Sequence, residues 1–328
     1  MQVDLDSPKI LKLVVTGSRL NQEDAMALEK GLLHDAEDVR GRAQLLGFYS
    51  NSTNMDNLPE ARRRHLGHLL WFIENSPSCW LLQSPYASMP QQDYAEGYAQ
   101  ARTAWLRQVE SEAVTPQVLA NAANFVVLRE PLLAEKLLRQ ACDIDPLNPR
   151  WHDLLGQAIR IYLRHKRSGW EESALTCVET ALSLTPKQDR GPVLEECAST
   201  AFAAGEYVKA EAYATDLLRQ SEEGGVDSGF MLHRGHVILG RLAVRRGDVA
   251  EAARHLLAAA DVPPYAALMS FGPNMSLAKE LLEAGKPEAV IEYLGRCGRF
   301  WQRRNLISDW LDTIRSGGVP DFGANLYY

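Results

Sequence analysis

Apolar residues recur three and four positions apart over most of the chain, and this spacing predicts amphipathic helices. After Pro59, for example, Leu66, Leu69, Leu70 and Ile73 would share one face of a helix. No segment alternates apolar and polar residues over the length of a strand. The pattern therefore predicts an all-α protein with little or no β-sheet.

Helix start signals separate the amphipathic stretches. Thr115-Pro116 and Asn148-Pro149 each combine a capping side chain with a proline at the first helical position. Residues 301–316 read as a last amphipathic helix. Ahead of these signals, residues 8–76 read as three or four helices, residues 75–93 as an irregular segment rich in Ser, Pro and Gln, and Asn21 as a helix cap.

Small residues repeat along the helices with a fixed spacing. A small residue in one helix is followed by a glycine seven positions later, by an alanine twelve positions after the first, and by another small or aliphatic residue seven positions after that alanine. Such self-similarity predicts stacked helical hairpins instead of one globular core. The positions that follow the spacing are Ala198, Gly205, Ala210 and Leu217; Gly240, Gly247, Ala252 and Ala259; and, with Arg129 in place of the glycine, Ala122, Ala134 and Ala141.

These positions resemble tetratricopeptide repeats of the bacterial type, and the resemblance covers roughly residues 115–300. Pro146 and Pro264 stand where that family ends the second helix of a unit. The resemblance implies an all-α, right-handed α-α superhelix of helical hairpins. It also implies three regions: 1–114 with diverged repeats, 115–300 with the repeats, and 301–328 with a capping helix and tail.

Composition favours a soluble cytoplasmic protein. Charged residues make up 23% of the chain and hydrophobic residues 46%. No apolar run approaches the ~20 residues that span a bilayer, so we expect no membrane contact. The stretch Lys9–Val15 is too short for a signal peptide, and a periplasmic location would require that a leader had been removed. Five scattered cysteines without a CxxC motif favour buried, reduced thiols.

The charge balance bears on the class of partner. The net charge is −7, whereas general nucleic-acid binding depends on a basic surface. We therefore predict no nucleic-acid partner.

Histidine pairs are the only pattern that suggests a metal. His65 and His68, and likewise His233 and His236, are three residues apart and would share a helix face. No cysteine or carboxylate completes either set, so we expect hydrogen-bonded histidines, no metal and no cofactor. The sequence contains neither a phosphate-binding glycine loop nor a GxSxG elbow, and we predict that the protein is not an enzyme.

The resemblance also suggests where a partner would bind. In tetratricopeptide proteins the first helix of each unit lines the concave surface, and paired Lys and Asn residues there grip the terminal carboxylate of a peptide. This chain departs from that pattern, which implies no such clamp. The corresponding positions hold Leu119, Ala123, Asp153, Gln157, Glu195, Ser199, Val237 and Arg241.

Arginines are aligned on two of these first helices. Spacings of four and seven place each set on one helix face, where it would form a basic patch that selects an acidic peptide or protein segment. The alternative is a solvated face whose arginines form internal ion pairs. The candidate residues are Arg150, Gln157, Arg160 and Arg164 in one helix, and Arg234, Arg241 and Arg245 in the other.

Two amides add to the candidate surface. Asn121 and Asn124 lie in an otherwise apolar helix and need hydrogen-bond partners if they are buried. Those partners would be a neighbouring hairpin or the backbone of a bound peptide. The sequence as a whole favours a scaffold or adaptor that binds a protein or peptide in its groove. The alternatives are a regulatory sensor for a small peptide or metabolite, and a helical enzyme or enzyme subunit that uses its scattered histidines.

Overall fold

The computed structural model describes residues 8–50, 58–89, 94–160, 169–222, 228–263 and 265–326. Helices account for 76% of the structure, and the described ranges contain no strand. The all-α prediction is therefore confirmed. The chain forms two compact units, residues 1–167 (unit 1) and residues 168–328 (unit 2). The predicted boundaries at 114/115 and 300/301 stay predictions.

Unit 1 is built from helices that pack mainly against their neighbours in sequence. Short 3-10 turns precede α1 and fill the predicted irregular segment, at Trp80–Gln83 and Pro85–Ala87. Helices of unit 1 are α1 (Leu11–Gly17), α2 (Gln22–Leu32), α3 (Val39–Ser50), α4 (Leu58–Asn75), α5 (Ala95–Val109), α6 (Pro116–Val126), α7 (Pro131–Ile144) and α8 (Pro149–Ala158).

The predicted caps begin three of these helices. The side chain of Asn21 accepts a hydrogen bond from the Asp24 backbone N–H at the start of α2. Thr115 caps α6 in the same way, and Asn148 caps α8. Each cap satisfies a backbone donor that the first turn of a helix leaves without a partner. Thr115 and Asn148 thereby set where the helices that carry the candidate residues begin.

Unit 2 continues the pattern of consecutive packed helices. Its small residues at the repeat positions, among them Ala198, Ala210 and Ala252, are fully buried at the helix crossings. Helices of unit 2 are α9 (Trp170–Leu184), α10 (Gly191–Ala203), α11 (Tyr207–Glu222), α12 (Ser228–Arg245), α13 (Val249–Ala258), α14 (Ala266–Ser270), α15 (Ser276–Glu283), α16 (Pro287–Cys297) and α17 (Arg304–Arg315).

One turn geometry explains the repeated glycine of unit 2. Each of three hairpins closes through a glycine with a φ of +72 to +80°, which L side chains rarely adopt. The next residue then donates its backbone N–H to a carbonyl five positions earlier, which is the hydrogen bond of a Schellman motif. These glycines are Gly205, Gly247 and Gly285, and the bonds are Glu206 to Ala201, Asp248 to Ala243 and Lys286 to Leu281, each 2.9 Å long.

The carboxyl-terminal segment differs from the prediction. Helix α17 begins at Arg304, three residues after the predicted start, and the tail beyond Gly317 folds back. The Asn325 side chain donates to the backbone oxygens of Phe271 (3.2 Å) and Pro273 (3.0 Å). Phe322 is buried against Trp310, so the tail covers part of the apolar face of α17.

In the described ranges, no helix is both long enough and apolar enough to cross a membrane.

Two glycines set the distance between α1 and α3. A Cβ atom built on Gly47 would lie 2.0 Å from the Val14 carbonyl oxygen, and one on Gly17 would lie 1.9 Å from the Gln44 carbonyl oxygen. Both neighbours are backbone atoms, which cannot rotate away as a flexible side chain would. Only the absence of both side chains permits this approach.

We expect Gly47→Ala to destabilise unit 1 by about 3 kcal/mol, at the upper end of overpacking effects, because α1 and α3 must separate. Urea denaturation followed by circular dichroism measures the change. Gly31→Ala is the matched control, since no atom lies within 4 Å of the added methyl group and alanine favours the helix. A loss of stability no larger than in the control would contradict the close crossing.

Candidate functional site

Arg150 is the best-defined of the predicted binding residues in unit 1. It lies in the first turn of α8, and its side chain is partly exposed. The central carbon of its guanidinium lies 4.1 Å from the ring centroid of Trp80 and 5.0 Å from that of Trp151. A guanidinium at these distances from indole rings makes cation–π contacts, which hold its plane in place.

The hydrogen bonds of Arg150 go to neutral groups. Its Nη1 donates to Gln117 Oε1 at 2.6 Å, and its Nη2 donates to Gln83 Oε1. Among the described residues no carboxylate pairs with this guanidinium, and burial alone lowers the pKa of Arg150 from its usual value. Since an arginine does not give up its proton in a protein, the site carries a positive charge, and no described carboxylate is bonded to it.

The two predicted amides of α6 bind the chain's own backbone. Asn121 is fully buried, and its Nδ2 donates to the carbonyl oxygens of Pro77 (2.7 Å) and Cys79 (3.1 Å). The Nδ2 of Asn124 donates to Leu82 O at 3.5 Å. Both amides therefore attach the irregular segment to α6. Gln117 connects this network to Arg150, because its Nε2 donates to Asn121 Oδ1 at 2.7 Å.

The other described members of the first arginine stripe interact with partners of their own. Gln157 donates to Asp153 Oδ2 at 3.0 Å, one turn earlier on α8. Arg160 follows α8 and takes part in an interaction of its own. Arg164 lies outside the described residues.

In unit 2, Arg234 is committed to a buried ion pair. Its Nε donates to Glu195 Oε1 at 2.7 Å, its Nη2 contacts the same oxygen, and Ser199 Oγ donates to that oxygen as well. The side chains of Arg234 and Glu195 are only 11% and 6% exposed. An arginine that neutralises a buried carboxylate in this way is not available to a partner.

Arg241 and Arg245 differ in their charge partners. Arg241 pairs with Glu280 at 2.8 Å and lies 4.2 Å from the centroid of the Phe202 ring. Arg245 is exposed and lies 5.5 Å and 5.3 Å from the rings of Phe202 and Tyr207. No described carboxylate pairs with Arg245. The predicted patch thus contains two internally paired arginines, Arg234 and Arg241, and one arginine, Arg245, that has no charge partner in the described part of the chain.

The four histidines of the two pairs, His65 with His68 and His233 with His236, each have a hydrogen-bond partner. His65 Nε2 lies 2.8 Å from Tyr86 O, and His68 Nε2 lies 3.3 Å from Glu29 Oε1. His236 lies beside His255, with their Nδ1 atoms 3.0 Å apart. No cluster of three or more metal-ligating side chains occurs within the described ranges.

His233 joins three segments of unit 2. Its Nδ1–H donates to Ala259 O at 2.8 Å, and its Nε2 accepts the Asn274 backbone N–H at 3.0 Å. Burial lowers the pKa of His233 to about 4 and does the same to His65. The His233 imidazole is therefore neutral in the folded protein at physiological pH, and its two hydrogen bonds are structural.

Comparison with known proteins gives a fold and no family. No family model matches the chain, and no curated protein matches it. Among solved structures, it is similar to the human IFIT1 dimer with m7Gppp-AAAA, with a TM-score of 0.52, 16% identity, and coverage of 90% of this chain and 67% of that one. This likeness confirms the predicted class, a tetratricopeptide-like helical solenoid, whereas the bacterial type stays a prediction.

The same comparison contradicts our exclusion of nucleic acid. The human protein of this fold carries the capped RNA m7Gppp-AAAA. The exclusion was wrong in its premise, because a net charge of −7 describes the whole chain, whereas binding depends on the charges within one surface.

Proposed function

We propose that this protein is a non-catalytic scaffold that binds another protein or a peptide through the first helices of its hairpins, and that it favours acidic segments. The observation that carries this proposal is the contrast among its arginines. Arg234 and Arg241 pair with carboxylates of the chain, whereas Arg150 and Arg245 contact aromatic rings and pair with no carboxylate among the described residues. A rigid cation that lacks an internal anion is suited to a carboxylate from a partner.

The five buried cysteines agree with a cytoplasmic setting for this scaffold. They form no disulfide, and the helical hairpins are held by buried apolar residues instead. We propose the cytoplasm as its location on that ground.

The test is selection from a display library of random peptides at about 0.1 M salt, where surface charges are still only partly screened. We expect the wild-type protein to enrich peptides that contain Asp or Glu, and isothermal titration to give micromolar or tighter binding. Because human IFIT1 binds a capped RNA, single-stranded RNA oligonucleotides with and without a cap are titrated in parallel. Failure to select any peptide would overturn the proposal, whether or not RNA binds.

A further inference from the structure

We propose that Arg150, Gln83 and Trp80 form a receptor for one carboxylate side chain, an Asp or Glu of the partner segment. This inference rests on the proposed function and specifies which group the partner presents to unit 1. It does not involve Arg245 or any other residue of unit 2.

The donors at this place outnumber the acceptors. A guanidinium has five N–H groups, and Arg150 uses its Nη1 and Nη2 for one glutamine oxygen each. Because Gln83 must turn its Oε1 toward Arg150, its Nε2 points away, and this atom is buried without a hydrogen-bond partner. A buried donor without an acceptor costs about 1–3 kcal/mol. The unbound site therefore lacks an acceptor.

A carboxylate supplies that acceptor. One of its oxygens can accept from the N–H groups of Arg150 that the glutamines leave unused. The ligand replaces Gln83 Oε1 as the acceptor for Arg150 Nη2. The terminal amide of Gln83 can then rotate, because its last torsion is broad, and its Nε2 can donate to the second carboxylate oxygen. Arg150, Trp80 and Gln83 are each partly exposed, so the side chain of a partner can reach them.

The charge balance selects a carboxylate over a phosphate. The described groups in direct contact with the Arg150 guanidinium are two neutral amides and two indole rings, none of which carries a charge. A ligand with a single negative charge neutralises that site. A doubly charged phosphate would leave an excess negative charge in a place already partly removed from water, which is unfavourable.

The site is also held ready before binding. The rings of Trp80 and Trp151 contact the guanidinium, and the chain of hydrogen bonds from Arg150 through Gln117 and Asn121 ends on backbone carbonyls. Apart from the Gln83 amide, which turns when the ligand binds, little side-chain freedom remains to be lost, and such preorganisation favours affinity.

The experiment uses the full chain and one acidic peptide selected from the random library. Its essential carboxylate is found by replacing each Asp or Glu with the corresponding amide. Affinities are measured by titration calorimetry for wild type, Arg150→Gln, Gln83→Glu and the control Arg107→Gln, which removes one exposed arginine from α5 of the same unit. Gln83→Glu places an internal carboxylate beside Arg150 and so fills the site without removing the cation.

We expect the amide form of the peptide to bind wild type about tenfold more weakly, and Arg150→Gln and Gln83→Glu to weaken the acidic peptide by a similar factor. With either variant, replacing the acid of the peptide by the amide should then change the affinity by less than about twofold, because the protein no longer offers a free cation to that carboxylate. Arg107→Gln should behave like wild type. Gln83→Glu should keep or raise the melting temperature, which separates loss of binding from loss of folding.

The outcomes distinguish the two levels of the proposal. If no peptide is selected, the scaffold function fails. If acidic peptides bind but are as sensitive to the acid-to-amide change on Arg150→Gln and Gln83→Glu as on wild type, the scaffold stands and the carboxylate receptor is overturned.

Discussion

Arg234→Met is expected to destabilise unit 2 by about 3–5 kcal/mol. Methionine preserves most of the length and apolar bulk of the side chain but removes the cation that neutralises Glu195. The carboxylate of Glu195, only 6% exposed, would then stay buried without its guanidinium or would have to be protonated. Urea denaturation at pH 7, followed by circular dichroism, gives the free energy of unfolding.

Two further variants separate charge from packing. Arg246→Met removes the exposed ion pair with Glu211, whose side chains are 51% and 49% exposed, and it should cost less than about 1 kcal/mol. The double variant Arg234→Met with Glu195→Leu replaces both charges by apolar groups and should recover most of the stability. If Arg234→Met and Arg246→Met cost the same, the burial of the Arg234–Glu195 pair has no energetic consequence.

The repeat and its turns could be predicted because their causes are local. A glycine seven residues after a small residue ends one helix in the left-handed conformation, and that conformation requires no information from distant parts of the chain. Arg129 shows the limit of the rule. With no glycine there, the α6–α7 turn contains no positive φ, and Glu130 donates to Val126 O at 2.8 Å, four residues back. The spacing of the buried alanines is kept although the turn differs.

The pairing of the arginines could not be predicted, because it depends on contacts between helices. Arg234 and Arg245 share a helix face, yet of these two only Arg234 bonds to a carboxylate of the described residues, and that carboxylate comes from a residue 39 positions away. Helical periodicity states which residues share a face but not what the neighbouring helix presents to them. The choice between a basic patch and internal ion pairs therefore required coordinates.

The role of the irregular segment, residues 75–93, was the other feature of the site that the sequence did not predict. Its Ser, Pro and Gln content predicted an irregular segment and gave no sign that it contributes to a site. The structure instead places Trp80 and Gln83 beside Arg150, partly exposed. The available signal was the pair of amides in α6, since Asn121 and Asn124 needed partners and found them in this segment. If the two amides had been interpreted as donors to the neighbouring irregular segment, that segment would have been placed beside α6, which packs against the helix of Arg150.

Mild acid should destabilise both units through their buried histidines. His65 in unit 1 and His233 in unit 2 have folded-state pKa values of about 4, against 6.5 in an unfolded chain. As the pH falls below about 6.5, the unfolded chain takes up a proton at each histidine and the folded protein does not. The free energy of unfolding then decreases by at most about 1.4 kcal/mol per pH unit for each histidine. Between the unfolded pKa of 6.5 and the folded pKa of about 4, this amounts to about 3 kcal/mol for each histidine.

This window is separate from that of the carboxylates. Burial raises the pKa of Glu29, but hydrogen bonds from His68, Tyr49 and Arg64 outweigh it and lower that pKa to about 2. The stability that Glu29 contributes is complete above its unfolded value of 4.5 and is lost only as the pH falls toward 2. A decline of stability between pH 6.5 and 4.5 therefore reports the histidines.

The measurement is urea denaturation at several pH values between about 7.5 and 4.5, on wild type and on two variants. His233→Gln retains an acceptor for the Asn274 N–H but does not titrate, so the pH dependence of unit 2 should become shallower by the share of one histidine. His34→Gln removes an exposed histidine and is the matched control for the loss of one imidazole. Equal slopes in wild type and His233→Gln would mean that His233 accepts a proton in the folded state, which its hydrogen bond from Asn274 forbids while that bond is intact.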